Sequence, residues 1–431
     1  MTVIGVDDTD SRERGMCTTY LAARVAERIE AAGGTVAERL LVRLNPAVER
    51  KTRGNAALAI HTDLDADAAA DIVRDELEPL AETDDPRTSP GLVVADCDPE
   101  AVPDPVAEFA REAVRSFHDL DHALALADDA GFTTEGWAGG HGRIGALAAV
   151  GAARAFPEWT YELIVYRRLE RCGTPREVDE PSLFDAAEAA YPEAWDTVDR
   201  GEGEAVCVPS APGPILYGIR GDDPDALREV AAGTDSEAVE RTALFRTNQG
   251  TDAHLRDADT DDLGDLRDGR AYRVDCVVDG EPETRRGGHV FVPIRAVDGG
   301  EPSGSTVDAA AFEPTKRFRD RVRALRAGDE LTVCGEVSDG SLKLEKFAVR
   351  TLNRVEERNP RCPDCGNSMG SAGRNQGYRC RDCGTSAPGK VEAEVGRDLE
   401  PGWYEVPPCA RRHIAKPLVR GGFDGPTHTE R

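Results

Sequence analysis

The sequence predicts a multidomain protein of mixed α/β and α+β class. Strand-like and helix-like apolar patterns alternate through the first 245 or so residues. Five strand-like runs with one short basic helix between them fill 271–351. Two Cys-x-x-Cys pairs stand close together near the C-terminus. At 431 residues the chain has length for two to four domains. The composition shifts suggest segments at 1–122, 123–262, 263–352 and 353–395, followed by a basic tail over 396–431.

Formal net charge is −28 and Lys is scarce, at Lys51, Lys316, Lys343, Lys346, Lys390 and Lys416. An acid-rich, Lys-poor surface suits a salt-rich cytoplasm, where ions screen the self-repulsion. From Pro314 onward the balance reverses, with 22 Lys and Arg against 17 Asp and Glu. A local polyanion-binding face is expected there, ordinary surface variation being the alternative. No run of about twenty apolar residues predicts a membrane helix, and no leader is evident ahead of Val3, so a cytoplasmic location is expected.

The apolar run Val3, Ile4, Val6 reads as a buried strand. It delivers Asp7, Asp8 and Asp10 to its end, followed by Gly15, Cys17, Thr18, Thr19 and a helical pattern. Carboxylates beside a helix N-terminus can hold Mg²⁺ and receive phosphate. A solvated turn with a capping Thr is the plain alternative. Strands at 37–44, 56–60 and 92–95 and helices at 64–80 and 106–117 complete an α/β pattern. Between two of the strands, a loop carrying Lys51, Thr52, Arg53, Gly54 and Asn55 could clamp a phosphate.

Gly139, Gly140, Gly142 and Gly145, with His141 and Arg143 among them, lead into a helix of small residues, where backbone can approach a ligand. Strands at 160–166, 205–209, 215–219 and 237–245, with helices at 181–191 and 223–232, suggest a ferredoxin-like sandwich. The segment Arg246-Thr247-Asn248-Gln249-Gly250-Thr251-Asp252-Ala253-His254 is dense in polar side chains. It reads as a specific hydrogen-bonding site or as a polar interdomain loop.

Strands at 271–278, 288–294, 305–311, 331–337 and 342–351, with a helix at 316–325, match an oligonucleotide-binding (OB-fold) barrel. Cys362, Cys365, Cys380 and Cys383 form two tight turns with fourteen residues between the pairs. That is a closed, structural Zn²⁺ site, a zinc ribbon. Arg374, Arg379 and Arg381 on it suggest phosphate contacts. The tail has two candidate landing places, the ribbon and the first domain.

Taken together, Gly-Val-Asp-Asp-Thr-Asp-Ser at 5–11, Gly-Met-Cys-Thr-Thr-Tyr at 15–20, Lys-Thr-Arg-Gly-Asn at 51–55 and the Gly-rich stretch resemble one family. Gly-Ile-Arg-Gly at 218–221, Arg-Thr-Asn-Gln-Gly-Thr-Asp at 246–252, the barrel and the ribbon join them. The chain resembles the archaeal tRNA(Ile) 2-agmatinylcytidine synthetases over nearly its full length. The resemblance implies a kinase-like first domain that uses ATP to phosphorylate the C2 oxygen of the wobble cytidine in the isoleucine tRNA with anticodon CAU. Agmatine then displaces the phosphate. It further implies autophosphorylation of Thr18.

On that reading Asp7, Asp8, Asp10, Thr18, Lys51 and Arg53 carry catalysis, with Mg²⁺ on Asp7 and Asp8. ATP meets Asp8, Thr9, Gly15, Cys17, Thr18, Thr19, Lys51, Arg53, Gly54 and Asn55. Gly139, Gly140, His141, Gly142, Arg143, Gly145, Arg246, Asn248, Gln249 and Asp252 hold the turned-out base; His141 stands where Asn is expected. The partners are the tRNA and agmatine, with no membrane and no obligate protein partner. The alternatives are a non-catalytic RNA- or DNA-binding protein and a small-molecule kinase.

Overall fold

The computed structural model describes residues 1–49, 51, 54–258, 262–298 and 301–431; Thr52 and Arg53 lie outside them. The chain opens with β1 (Thr2–Asp7), α1 (Thr18–Ala31), β2 (Val36–Arg43), β3 (Ala56–Thr62), α2 (Ala66–Leu80) and β4 (Gly91–Ala95). Then come α3 (Asp104–Ala113), α4 (Leu120–Asp129), β5 (Thr133–Gly136) and α5 (Arg143–Ala155). A second block follows with β6 (Thr160–Arg167), α6 (Glu180–Ala189), β7 (Ala194–Trp195), β8 (Ile215–Gly221), α7 (Pro224–Gly233) and β9 (Val239–Thr247).

All nine strands share one sheet, in the order β5-β4-β1-β3-β2-β9-β6-β8-β7. The block β9-β6-β8-β7 has the strand order of a ferredoxin-like unit. The block β4-β1-β3-β2 repeats that order. The two meet edge to edge where β2 runs parallel to β9, pairing Leu40 with Arg246 and Leu41 with Thr247. The expected break at 122/123 falls inside α4. The strand expected at 205–209 is a turn; Cys207 N–H bonds to Thr197 O and Cys207 O accepts from Gly218 N–H, with no regular ladder. The short β7 pairs with β8 in its place.

Alternation along the strands divides the first block into three layers. Val3, Leu40, Val42, Ala57, Val93 and Ala95 face α3, α4 and α5, while Ile4, Val6, Leu41, Leu58, Ile60 and Val94 face α1 and α2. α5 seats unusually close to the sheet because both surfaces are bare. A Cβ on Gly5 would stand 2.1 Å from Ala146 O, and one on Gly151 would stand 2.5 Å from Val106 O on α3. Ala146, Leu147, Ala148, Ala149, Val150 and Ala152 are fully buried in the layer between.

After β10 (Leu255–Asp257) the barrel comprises β11 (Ala271–Val278), β12 (Glu283–Thr284), β13 (Val290–Asp298), β14 (Glu301–Ala311), α8 (Phe318–Arg323), β15 (Glu330–Ser338) and β16 (Ser341–Thr351). β11 pairs with β13 and β15, β13 with β14, β15 with β16, and β14 with β16 in parallel, which closes five strands into the expected barrel. The ribbon stands on β17 (Val355–Arg358) paired with β21 (Val391–Glu394), around β18 (Gly370–Ser371), β19 (Tyr378–Arg379) and β20 (Ser386–Ala387).

The tail reaches the expected first domain through Ile414 and also seats on the barrel and the second block. β22 (Gly402–Glu405) adds to the barrel beside β16 and β23 (Thr427–His428) beside β22, with Trp403 buried against Cys334, Ala348 and Leu418. Between those strands the chain crosses to the second block. Arg411 pairs with Asp196 and Arg420 with Asp222, and Ile414 enters the core of the first block. An open barrel edge and buried acids supply what the ribbon surface does not.

Candidate active site and zinc ribbon

A cavity of about 390 Å³ lies where both blocks and the tail meet. Its lining includes Asp7, Asp8, Asp10, Cys17, Thr18, Thr19, Lys51, Gly54, Asn55, His141, Gly142 and Gly145. The sequence-predicted residues from three separate stretches therefore converge. That volume is typical of a small-molecule site.

The close approach of α5 builds the wall. A Cβ on Gly145 would fall 1.9 Å from Asp7 Oδ2, and one on Gly142 would fall 2.7 Å from Asp7 O and 2.6 Å from Gly91 N. The Gly-rich stretch thus lets helix backbone pack on the end of β1. Asp7 Oδ1 accepts Asp8 N–H at 2.7 Å, and Asp8, at a positive φ of 59°, takes Ser89 N–H on Oδ2 at 3.0 Å. Burial, then the neighbouring charges of Asp8 and Asp10, hold the Asp7 carboxyl well above the ordinary carboxylate range. Three carboxylates crowd one end of the cavity with excess negative charge.

Thr18 opens α1 and is buried; its Oγ1 lies 3.1 Å from Thr9 Oγ1 and 3.4 Å from Thr9 N. Cys17 at the N-cap makes no side-chain cap, and Cys17, Thr18 and Thr19 line the cavity at the positive end of α1. Lys51 Nζ bonds to Pro46 O, and burial, then the charge of Arg412, lowers its ammonium below the usual range.

The remaining candidates are used inside the protein. Thr9 is buried, and Gly15, at φ 103°, lies against Pro212 O. Gly139 and Gly140 accept from Arg143 of their own turn. Arg246 pairs with Glu38 and stacks over Trp159. Asn248 clasps both backbone groups of Arg43, at 2.7 and 3.1 Å. Gln249 donates to Glu162, and Asp252 binds Lys346 at 2.7 and 2.8 Å.

The cavity also takes in Arg43, Ser89, Phe117, His118, Glu162, Arg176 and His413, which the sequence reading passes over. Arg43 sits in a plain strand pattern and Phe117 at a helix end. His413 lies 395 residues from Thr18 in a tail with no periodic pattern. Phe117, 56% exposed, is a large apolar side chain left open at the cavity wall.

On the ribbon the Sγ atoms of Cys362, Cys365, Cys380 and Cys383 lie within 4.8 Å of one another. Four thiolates at that spacing fit a tetrahedral Zn²⁺ with no open position. Among the described residues no other group of three or more His, Cys, Asp or Glu gathers so closely, and no helix is long and apolar enough to cross a membrane.

Comparison with known proteins places these features in one lineage. Residues 3–137 match the TiaS TCKD domain, 140–254 the TiaS FLD domain, and 359–399 the TiaS C-terminal zinc ribbon domain. The chain is 56% identical to the tRNA(Ile) 2-agmatinylcytidine synthetase TiaS of Haloquadratum walsbyi, over 100% of both chains. It is 45% identical to that of Methanosarcina mazei over 97% of each. Among solved structures it resembles a complex of TiaS with its isoleucine tRNA and ATP (TM-score 0.89, 41% identity, covering 100% of this chain and 99% of that one). It likewise resembles a complex of TiaS with the same tRNA, AMPCPP and agmatine (TM-score 0.86, 39% identity, covering 100% and 99%). Matched over its whole length at 56% identity and in three family domains, the chain belongs to the TiaS family of tRNA(Ile) 2-agmatinylcytidine synthetases.

Proposed function

We infer that this chain is an ATP-dependent ligase that joins agmatine to C2 of the wobble cytidine of the isoleucine tRNA with anticodon CAU. The observation that carries the reading is the one cavity joining Asp7, Asp8, Thr18 and Lys51, in a chain related over its whole length to a protein solved with an isoleucine tRNA, an ATP analogue and agmatine.

The chemistry suits the groups present. A C2 carbonyl has no good leaving group. Transfer of the γ-phosphoryl group of ATP to its oxygen creates one, and attack by agmatine's amine then expels phosphate. Phosphoryl transfer is catalysed by positioning and by neutralising charge. Lys51 and the first turn of α1 supply positive charge and N–H donors; Arg53 is assigned the same role. Thr18 Oγ1, at the helix N-terminus, is assigned as a phosphoryl acceptor itself.

Asp7 and Asp8 would hold Mg²⁺. Two carboxylates with phosphate oxygens and water are its usual ligand set. Burial, then the charges of Asp8 and Asp10, lift the Asp7 carboxyl; a divalent cation would offset both and neutralise the triphosphate. We assign the barrel, the zinc ribbon and exposed Arg374, Arg379 and Arg381 to gripping the tRNA. Acidic groups on the cavity wall, Glu162 among them, suit the dicationic agmatine.

The test uses the full-length protein in concentrated potassium chloride with Mg²⁺, ATP, labelled agmatine and the isoleucine tRNA transcript. A methionine elongator tRNA with the same anticodon serves as control. Label on the isoleucine tRNA alone, lost in Asp8→Ala and Thr18→Ala, is expected. ATP turnover without tRNA labelling would point to a small-molecule kinase. Tight tRNA binding with neither would point to a binding module.

A further inference from the structure

We propose that His413 accepts the proton released as agmatine's amine attacks the activated C2 of the cytidine, an assignment that deepens the proposed function and rests on it.

The tail holds this residue firmly. Arg411 on one side is buried against Asp196 and Glu405, and Arg412 pairs with Glu336 and Glu345. Ile414 on the other side is in the core. The His413 carbonyl accepts Gly250 N–H at 2.8 Å, and the Ile414 carbonyl accepts Thr251 and Asp252 N–H at 3.2 and 3.0 Å. Buried ion pairs fix position more than they add stability. Here they fix a side chain whose open surface is the cavity that also holds Asp8, Thr18 and Lys51.

The imidazole has no side-chain hydrogen bond among the described residues, and the space it faces is the cavity. Among those residues neither nitrogen has a partner. Its charged neighbours are Arg43 from β2 and Arg220 from β8; Glu162 from β6 stands 3.8 Å from Arg43. The protein packed around the cavity mouth, then those two guanidinium charges, keep the ring well below the ordinary histidine range. It therefore meets substrate neutral, with a lone pair free.

The other cavity histidines sit differently. His118 packs on Phe109 with centroids 4.6 Å apart and keeps its Nε2 buried without a partner. The His141 ring lies against Ser89, Nδ1 to Oγ at 3.5 Å.

The step balances. Agmatine's amine, as the free base, gives its electron pair to the new C2–N bond. The C2–O bond breaks and its pair leaves with inorganic phosphate. The proton on the new nitrogen passes to His413.

The experiment compares wild type, His413→Ala and His413→Gln in full-length protein under single-turnover conditions. Three signals are followed: γ-phosphoryl label on Thr18, γ-phosphoryl label on the tRNA, and agmatine label on the tRNA. Loss of a general base predicts a fall of about a hundredfold or more in agmatine transfer. Phosphorylated tRNA should accumulate while Thr18 labelling proceeds at its normal rate. Added imidazole should restore part of the transfer in His413→Ala. Undiminished transfer overturns the proposal. So does an equal fall in all three signals without imidazole rescue, since that marks a packing role. A wild type that never labels the tRNA with agmatine defeats the proposed function itself and is recognised as such before any variant is compared.

Discussion

The end of β1 and the segment from Arg246 to His254 are both dense in polar side chains, and the fold treats them in opposite ways. At the end of β1, Asp7, Asp8 and Thr18 line open space, and Asp7 is held at an energetic cost by burial and like charge. In the second stretch, Asn248, Gln249, Asp252 and His254 each close on a neighbour: Arg43, Glu162, Lys346 and Glu345. The first region gathers like charge at a cavity wall, and the second uses its side chains in joining two sheet blocks to the barrel. Polar density alone does not mark a reactive site; what distinguishes one is charge left facing a cavity.

If this contrast is right, damage to the first region should remove activity before stability, and damage to the second the reverse. Gly145→Ala tests the first half most severely. Its Cβ would overlap Asp7 Oδ2, so α5 must lift or Asp7 must turn. Overpacking of this kind costs about 1–3 kcal/mol, yet a shift of about 1 Å at a phosphoryl-transfer site can cost on the order of 10²-fold in rate. Thr18 labelling by ATP should fall by that factor while thermal denaturation moves by only a few degrees.

Metal removal separates the regions differently. Four thiolates hold Zn²⁺ with apparent binding energies of about 10–16 kcal/mol, and the metal organises its own small unit. The ribbon's strands pair only with one another among the described residues. Chelation, or Cys365→Ser, should abolish transfer to tRNA while ATP-dependent Thr18 labelling persists. Equal loss of both would mean that the ribbon supports the cavity.

Lys346→Met probes the closed region. Lys346 Nζ binds both oxygens of Asp252 and Lys416 O at 2.6 Å while almost fully buried. Breaking such a pair from one side costs about 3 kcal/mol or more, and salt screens a buried pair weakly. The melting temperature should fall in concentrated salt too, with Asp252→Asn added in the double variant recovering part of it. The residual activity per folded molecule should remain near wild type.

Much of this was legible before folding. The strand, acidic cluster and helix start at 2–20 are local in sequence, as are the cysteine spacings, and local patterns survive whatever the rest of the chain does. The barrel strands were legible because each alternates over a half-buried sheet. Three things were not. The parallel β2–β9 junction joins residues some two hundred apart through two residue pairs, too few to leave a pattern. The Gly-rich stretch reads as a ligand loop, and His141, Gly142 and Gly145 do line the cavity, but its second use, seating bare helix backbone against β1, left no separate mark in the sequence. His413 lies in a tail without periodicity, so only tertiary placement reveals the surface it lines.

The smallest expected effect lies at the point where the closed region touches the tail, and it is read through pH. Burial alone pushes the Glu345 carboxyl up, but His254, Arg412 and Lys346 outweigh it and hold the group down at about 2. A carboxyl depressed in the folded state contributes stability that is fully present above its unfolded value, ordinarily about 4.3. That contribution is lost as pH falls from there toward 2. Glu345→Gln should therefore lower stability by about 1.5 kcal/mol near pH 7, the scale of a hydrogen bond to a charged group. The gap from wild type should narrow steadily as pH drops through that window. A gap that stays constant from pH 7 to 3 would mean that Glu345 acts by shape, and that the closed region owes its hold to packing and not to charge.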